Sequence, residues 1–495
     1  MSSRKQFLGH TMIYGASTVI SRLLNYILTP FYLQFLKGAS DYGVMSYFFS
    51  ITAFLMVLLS YGMETTFFRF IHKDKDKPIA GTAFISHLVT SVLFLVLGLI
   101  WHTEIANLLD RSAYSSYFIL IILILGIDAL STIPFAILRA EERPLRYGLI
   151  KTVNVICNIG FNLFFFLGCP WMIKEGIAVT FIQSIYNPDW LVGYAFLANV
   201  FASAISLIML SPQIFKIQFK FDFDLWKKMM LFAWPIAIGG LAYVTNELSD
   251  RLFLTYLLPK GIADFQLGVY SAVYKLAIVL NIIIQGYRFG AEPFFFKMAS
   301  QKDAKEQYAW MMKVLVIVLC FVFLGVTQYL ELLKWPFLRK EEYFVGIKVV
   351  PILLVAILCS GIYYNLSVWY KVTDKTKFGA YFSGLGALVT IAINWYYVPI
   401  YGYVASAWAT LACYFVMLMV SYLFSRKFYR IPYDYKRILT YIFGALGLYL
   451  FSSYIKDQYF LVNTGMMLIY IGLVYFLEKD TFHQLISVAC KKYRS

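Results

Sequence analysis

Charge is scarce in this chain. Only 14% of its 495 residues are charged, and aspartate plus glutamate number 27. Soluble domains carry about 25% charge, so a large soluble enzyme is excluded. Histidine is rarer still. His10, His72, His87, His102 and His483 are dispersed, without ligand spacing. The six cysteines stand singly, mostly inside apolar runs, and imply neither a disulfide framework nor a zinc site. No Gly-Lys-Ser/Thr phosphate loop occurs, which argues against ATP coupling within the chain. Cofactors are therefore expected to be none. No catalytic constellation appears either. The opening "MSSRKQFLGH" leads into an apolar run that keeps Arg22 and lacks a small-residue cleavage site, so it reads as a retained first helix.

What is present is apolar. Hydrophobic residues make up 60% of the chain, and the mean hydropathy is +0.69. A helix of about 20 apolar residues crosses a bilayer. That window predicts an all-α polytopic membrane protein with about fourteen spans: 8–34, 42–64, 79–102, 114–138, 148–169, 190–211, 228–258, 267–293, 310–333, 345–370, 378–398, 403–425, 438–455 and 459–477. The net charge of +16 is explained by loops, not by nucleic acid. Alternate connections hold 30 of the 43 basic residues, against 9 in the opposite set. The positive-inside rule then predicts both termini in the cytosol.

The chain contains itself twice. "DYGVMSYFFSI" at 41–51 resembles "QLGVYSAVYKL" at 266–276, with Gly43 and Gly268 offset by 225 positions. "RYGLIKTVNVICNIGFN" at 146–162 resembles "KFGAYFSGLGALVTIAIN" at 377–394. Six spans per copy keep one orientation, so the repeat is parallel, about an axis along the membrane normal. The expected organisation is a lobe over 1–212, a second over 225–425, and two extra helices with a tail over 426–495.

Polar residues fall on single helix faces. The first span aligns Thr18, Arg22, Asn25 and Thr29; the fifth aligns Lys151, Asn154, Asn158 and Asn162. In the seventh, Asn246, Glu247 and Asp250 share a face, with Arg251 at its margin. Glu247 and Arg251 stand four apart, where they can pair. Lys275 lies at the depth of Asp250 across the external turn and is expected as its countercharge. Asp128, in mid-span, reads as a cavity residue or a buried partner of Arg22. The asparagines also suit hydrogen bonding between helices. Arg288 and Glu292, near the cytosolic end, also suit snorkelling. Charges at membrane depth default to a functional reading. The candidate substrate-binding residues are Arg22, Asn25, Arg251, Lys275 and Arg288. The candidate coupling or charge-pair residues are Glu247, Asp250, Asp128 and Glu292.

The stretches "LTPFYLQFLKGASDYGVMSYFFS", "SDRLFLTYLLPKGIADFQLGVYSAVYKLA", "AEP" at 291–293 and "PIYGYVASAWAT" at 399–410 resemble the O-antigen (Wzx-like) flippases of the multidrug/oligosaccharidyl-lipid/polysaccharide exporter superfamily. The resemblance covers nearly the whole chain. It implies two six-helix lobes plus two helices. It also implies translocation of an undecaprenyl-diphosphate-linked oligosaccharide across a bacterial inner membrane by alternating access, through a cationic cavity. Coupling to H+, Na+ or membrane potential follows as an expectation. Expected partners are the lipid-linked oligosaccharide, membrane lipids, and a polysaccharide polymerase or glycosyltransferases. Arg22 in "ISRLL" also resembles the Ser-Arg pair of lipid II flippases. A lipid II flippase and a small-molecule cation antiporter are the nearest alternatives. A glycan polymerase or a scaffold without transport is more remote.

Overall fold

The computed structural model describes residues 26–71, 77–299, 301–455 and 460–493, with side chains at 289, 290, 293 and 480–493 left aside. Among these, every regular element is helical. In order they are α1 (26–35), α2 (Ala39–Ser60), α3 (Met63–Ile71), α4 (Ile79–Ile100), α5 (His102–Leu108), α6 (Ser115–Ala140) and α7 (Pro144–Leu163). Then come α8 (Cys169–Lys174), α9 (Val179–Ile185), α10 (Leu191–Ile214), α11 (Phe223–Leu257), α12 (Lys260–Met298), α13 (Ala304–Gln328) and α14 (Leu330–Leu338). The last are α15 (Val350–Leu366), α16 (Val368–Val372), α17 (Lys377–Tyr401), α18 (Tyr403–Phe428), α19 (Tyr435–Tyr454) and α20 (Phe460–Tyr493).

Twelve helical segments among the described residues are long and apolar enough to cross a bilayer. A further expected span coincides with α19. The first expected span is described only from residue 26, so Arg22 and Asn25 lie outside the described residues. The chain is a multi-pass membrane protein of the helical class expected. α11 has 35 residues and α12 has 39. At 1.5 Å per residue both exceed the ~30 Å hydrocarbon thickness, so they project beyond it. Asp222 caps α11, its carboxylate accepting from Leu225 N at 2.9 Å. Asp434 caps α19 in the same way, accepting from Arg437 N at 3.1 Å. Each cap satisfies an amide that the first turn leaves without a partner.

One expected span is broken. The window 42–64 covers the junction of α2 and α3, where Tyr61 has φ 30° and Gly62 φ 71°. A Cβ on Gly62 would also stand 2.8 Å from the Ala233 carbonyl oxygen. Glycine therefore answers both the left-handed turn and the close approach of α11.

The helices cluster into two compact units: residues 1–272 with 390–403, and 273–389 with 404–495. In the first, Met63, Phe67, Ala83, Ile133, Leu225 and Met229 bring α3, α4, α6 and α11 into one core. In the second, Glu478 of α20 is buried among Lys313 Nζ at 2.6 Å, Tyr441 OH at 2.8 Å and Arg437 Nη1 at 3.2 Å. Three donors around one carboxylate tie the two C-terminal helices to α13.

Candidate functional site

The charges of "NELSDRLFLTYLL" turn inward. Asp250 is 3% exposed and Arg251 7%. Arg251 gives its backbone N–H (2.8 Å) and Nη1 (3.0 Å) to Asp250 Oδ1. Nη1 also donates to the Glu247 carbonyl oxygen at 3.0 Å. Tyr270 OH donates to Asp250 Oδ2 at 2.5 Å. Both carboxylate oxygens are thus occupied within the first unit. A buried carboxylate is tolerable when paired and hydrogen-bonded in this way.

Nearby, the two repeat copies meet. A Cβ on Gly43 would overlap the Asp264 carbonyl oxygen, and one on Gly268 would overlap the Ala39 carbonyl oxygen. The two clashes are related by the same offset of 225 that relates the sequences. Helices α2 and α12 therefore cross at a self-complementary, pseudo-two-fold contact that only glycine permits.

Ion pairs surround this crossing. Arg111 makes a two-pronged bond to Asp264, with both N–H···O distances at 2.7 Å. Its guanidinium stands 4.9 Å from the Tyr47 ring centroid and 5.8 Å from that of Tyr114. Burial pulls the Arg111 pKa down, but the hydrogen bonds and charge of Asp264 outweigh it and leave it raised. Tyr47 and Tyr256 join hydroxyl to hydroxyl, Lys260 pairs with Asp110, and Lys37 pairs with Asp189 at 2.5 Å. Gln266 Oε1 accepts from Tyr403 N at 3.1 Å. All of these contacts lie within the first unit.

A separate polar cavity of about 290 Å3 lies within the first unit. Glu64, Asp128, Arg139, Lys151 and Asn154 line it. Arg139 pairs with Glu64 and lies 4.8 Å from the Phe68 centroid. Lys151 Nζ lies 4.1 Å over Phe135, and Asn154 Nδ2 donates to Ser206 Oγ at 2.9 Å. Asp128 is thus a cavity residue.

In the second unit, Arg288 lies with its guanidinium 4.7 Å from the Tyr364 centroid. It is exposed and makes no ion pair among the described residues. The nearby Glu292 pairs instead with Lys371 at 2.8 Å, and Lys371 also stands 4.7 Å from Tyr364. The tyrosine face thus carries one committed and one uncommitted cation.

Residues 7–299 match the family described as polysaccharide biosynthesis protein. The chain belongs to that family. Three solved structures give the fold of this polysaccharide biosynthesis family member. The lipid II flippase MurJ, in an inward closed conformation, has a TM-score of 0.72 at 13% identity, over 95% of this chain and 100% of that one. An inward-facing multidrug resistance MATE family transporter of the MOP superfamily gives 0.64 at 14%, over 84% and 94%. An outward-facing one gives 0.54 at 13%, over 85% and 94%. No curated protein matches the chain. At these identities the structural likeness establishes the fold. The polysaccharide biosynthesis family member thus shares its fold with that flippase and those transporters.

Of the residues singled out by sequence, the family member brings Glu247, Asp250 and Arg251 together. Arg251, expected at the substrate, is buried against Asp250. Asp128 stands apart in the small cavity, and Arg288, Glu292 and Lys275 belong to the second unit. Arg111 and Asp264 were not anticipated. Arg111 sits in a short connection and Asp264 in the first turns of α12, where a single charge is unremarked, and 153 residues separate them. The aromatic Tyr114, three residues after Arg111, was the local signal.

Proposed function

We propose that the protein flips an undecaprenyl-diphosphate-linked oligosaccharide from the cytosolic to the external leaflet of a bacterial inner membrane, by alternating access. The observation that carries this reading is Arg288, an exposed guanidinium resting on Tyr364 without a carboxylate of its own. A guanidinium fork matches a diphosphate, and the tyrosine ring holds it without neutralising it. Neither the diphosphate nor a glycan crosses ~30 Å of hydrocarbon unaided. The lipid tail stays in the bilayer.

Arg22, Asn25 and Lys275 join Arg288 as substrate contacts in this proposal. The lobes are 1–212 and 225–425, with 426–495 as the added pair, and both termini are cytosolic. Glu247, Asp250, Asp128 and Glu292 are the carboxylates through which H+, Na+ or membrane potential drives the cycle. Glycosyltransferases that build the oligosaccharide and a polymerase that consumes it are the partners.

Reconstitution in liposomes with a defined lipid-linked oligosaccharide tests the reading. Flipping should fall by roughly 10–100-fold in Arg288→Ala, as for loss of a charged hydrogen bond of about 1.5–3 kcal/mol. It should be partly retained in Arg288→Lys, and Arg22→Ala should be inactive yet folded. Wild-type flipping by Arg288→Ala would refute the role of the guanidinium. Faster movement of lipid II, or of a small cationic drug, would assign the other substrate class.

A further inference from the structure

We propose that each repeat copy carries a binding site for the headgroup of an anionic phospholipid, at the same place on its Lys- and Arg-rich face. The first is a cavity of about 710 Å3 between the start of α4 and the segment that follows α10. Lys77, Lys216 and Lys220 line it, with Glu141 as its one acidic group. The second measures about 740 Å3 and lies between the start of α13 and the segment that follows α18. Lys305, Arg426 and Arg430 line that one, with Glu306 as its one acidic group. The offset of 225 that maps Gly43 onto Gly268 maps Ala80 and Gly81, in the first cavity, onto Lys305 and Glu306 in the second. The α10 and α18 segments are in turn the last spans of their copies. The two cavities thus hold the same set of charges, three cations and one anion, although the individual charged residues do not stand at matching positions of the repeat.

Each cavity also has a buried polar group in its wall with no partner. Gln213 is 0% exposed, and neither its Oε1 nor its Nε2 is hydrogen-bonded. Tyr433 is 6% exposed, and its hydroxyl is likewise unbonded. Leaving such groups unmatched is unfavourable. A phosphodiester oxygen or a glycerol hydroxyl would satisfy them. None of the six basic residues has an acidic partner among the described residues, and all six are exposed. Lys305 is held 4.8 Å over the Tyr429 ring, and Arg426 5.9 Å from that of Tyr422.

The rims decide between a lipid and a soluble phosphate. Phe215, Phe219 and Phe221 are exposed beside the first cavity, and Leu423, Phe424 and Phe428 beside the second. Apolar side chains at a basic rim are fitted to acyl chains below a charged headgroup. A free anion would gain nothing from them.

The test is titration of the purified full-length protein, in detergent, with dioctanoyl phosphatidylglycerol, dioctanoyl phosphatidylcholine and inorganic phosphate. Native mass spectrometry reads occupancy and thermal unfolding reads Tm. Two phosphatidylglycerol molecules should bind and raise Tm. Lys216→Ala/Lys220→Ala should weaken one site and Arg426→Ala/Arg430→Ala the other, by about fivefold per residue removed. Tyr433→Phe removes an unbonded hydroxyl, so it should leave the lipid-free Tm unchanged or higher while weakening the second site. Equal binding of phosphatidylcholine overturns the proposal. So does an equal Tm shift with inorganic phosphate, which marks a soluble-anion site, and so does unchanged occupancy in both double variants.

Discussion

Two arginines on neighbouring long helices stand beside tyrosine rings, and they are used in opposite ways. Arg251 on α11 is buried, 6.0 Å from the Tyr270 centroid, and gives its charge to Asp250. Arg288 on α12 is exposed, 4.7 Å from the Tyr364 centroid, and its nearest carboxylate neighbour in sequence, Glu292, is taken by Lys371. The difference shows that a charge at membrane depth is not by itself a ligand site. What separates cohesion from availability is where the nearest carboxylate has gone.

The sharpest way to break this contrast is to strand Asp250. Arg251→Ala should cost about 3–5 kcal/mol, because it leaves a buried carboxylate with only neutral donors, the residue-251 amide and the Tyr270 hydroxyl. Asp250→Asn/Arg251→Gln should recover most of that loss, and urea unfolding in micelles measures both. If the single variant is as stable as the parent, the buried pair is not cohesive. A smaller effect is expected at Arg111. Replacing it with Ala forfeits a two-pronged charged bond, about 1.5–3 kcal/mol. External thiol labelling of a Ser46→Cys reporter on the same helix as Tyr47 should then quicken by roughly 10–100-fold. The swap Arg111→Asp/Asp264→Arg should slow it again. The smallest effect is at the ring under Arg288. Tyr364→Leu should lower flipping a few-fold, matching a cation–π contact of about 0.5–1 kcal/mol, while Tyr364→Phe stays near the parent. Equal losses in both variants would move the role from the ring to the hydroxyl.

The spans were legible because about 20 apolar residues in a row have few other uses. The repeat was legible through Gly43 and Gly268, since no other residue permits the crossing that α2 and α12 make. The break at Tyr61 and Gly62 was hidden, because the apolar run continues through it and one glycine inside a membrane span is common. Helix periodicity grouped Glu247 and Asp250 correctly on one face, but it cannot say which donor arrives from another helix. Tyr270 supplied that donor. In the fifth-span stripe, Asn162 Nδ2 donates to the Asn158 carbonyl at 2.8 Å within its own helix, whereas Lys151 and Asn154 line the small cavity. One face thus held two destinies that spacing cannot separate. Arg111 belongs to a connection and Asp264 to the first turns of α12, where pattern carries little information and distance in the chain says nothing about distance in space.

The crossing of Gly43 and Gly268 also sets a schedule. The notch on α2 has no counterpart until the matching stretch of α12 leaves the ribosome, 225 residues later. At ~5–20 residues per second that delay is roughly 10–45 s. For that interval the first copy sits in the bilayer with its Gly43 face covered by lipid or by another chain. A second molecule caught during synthesis offers an α12 of its own, so the same notch that joins the two copies of one chain is a place where two newborn chains can exchange them.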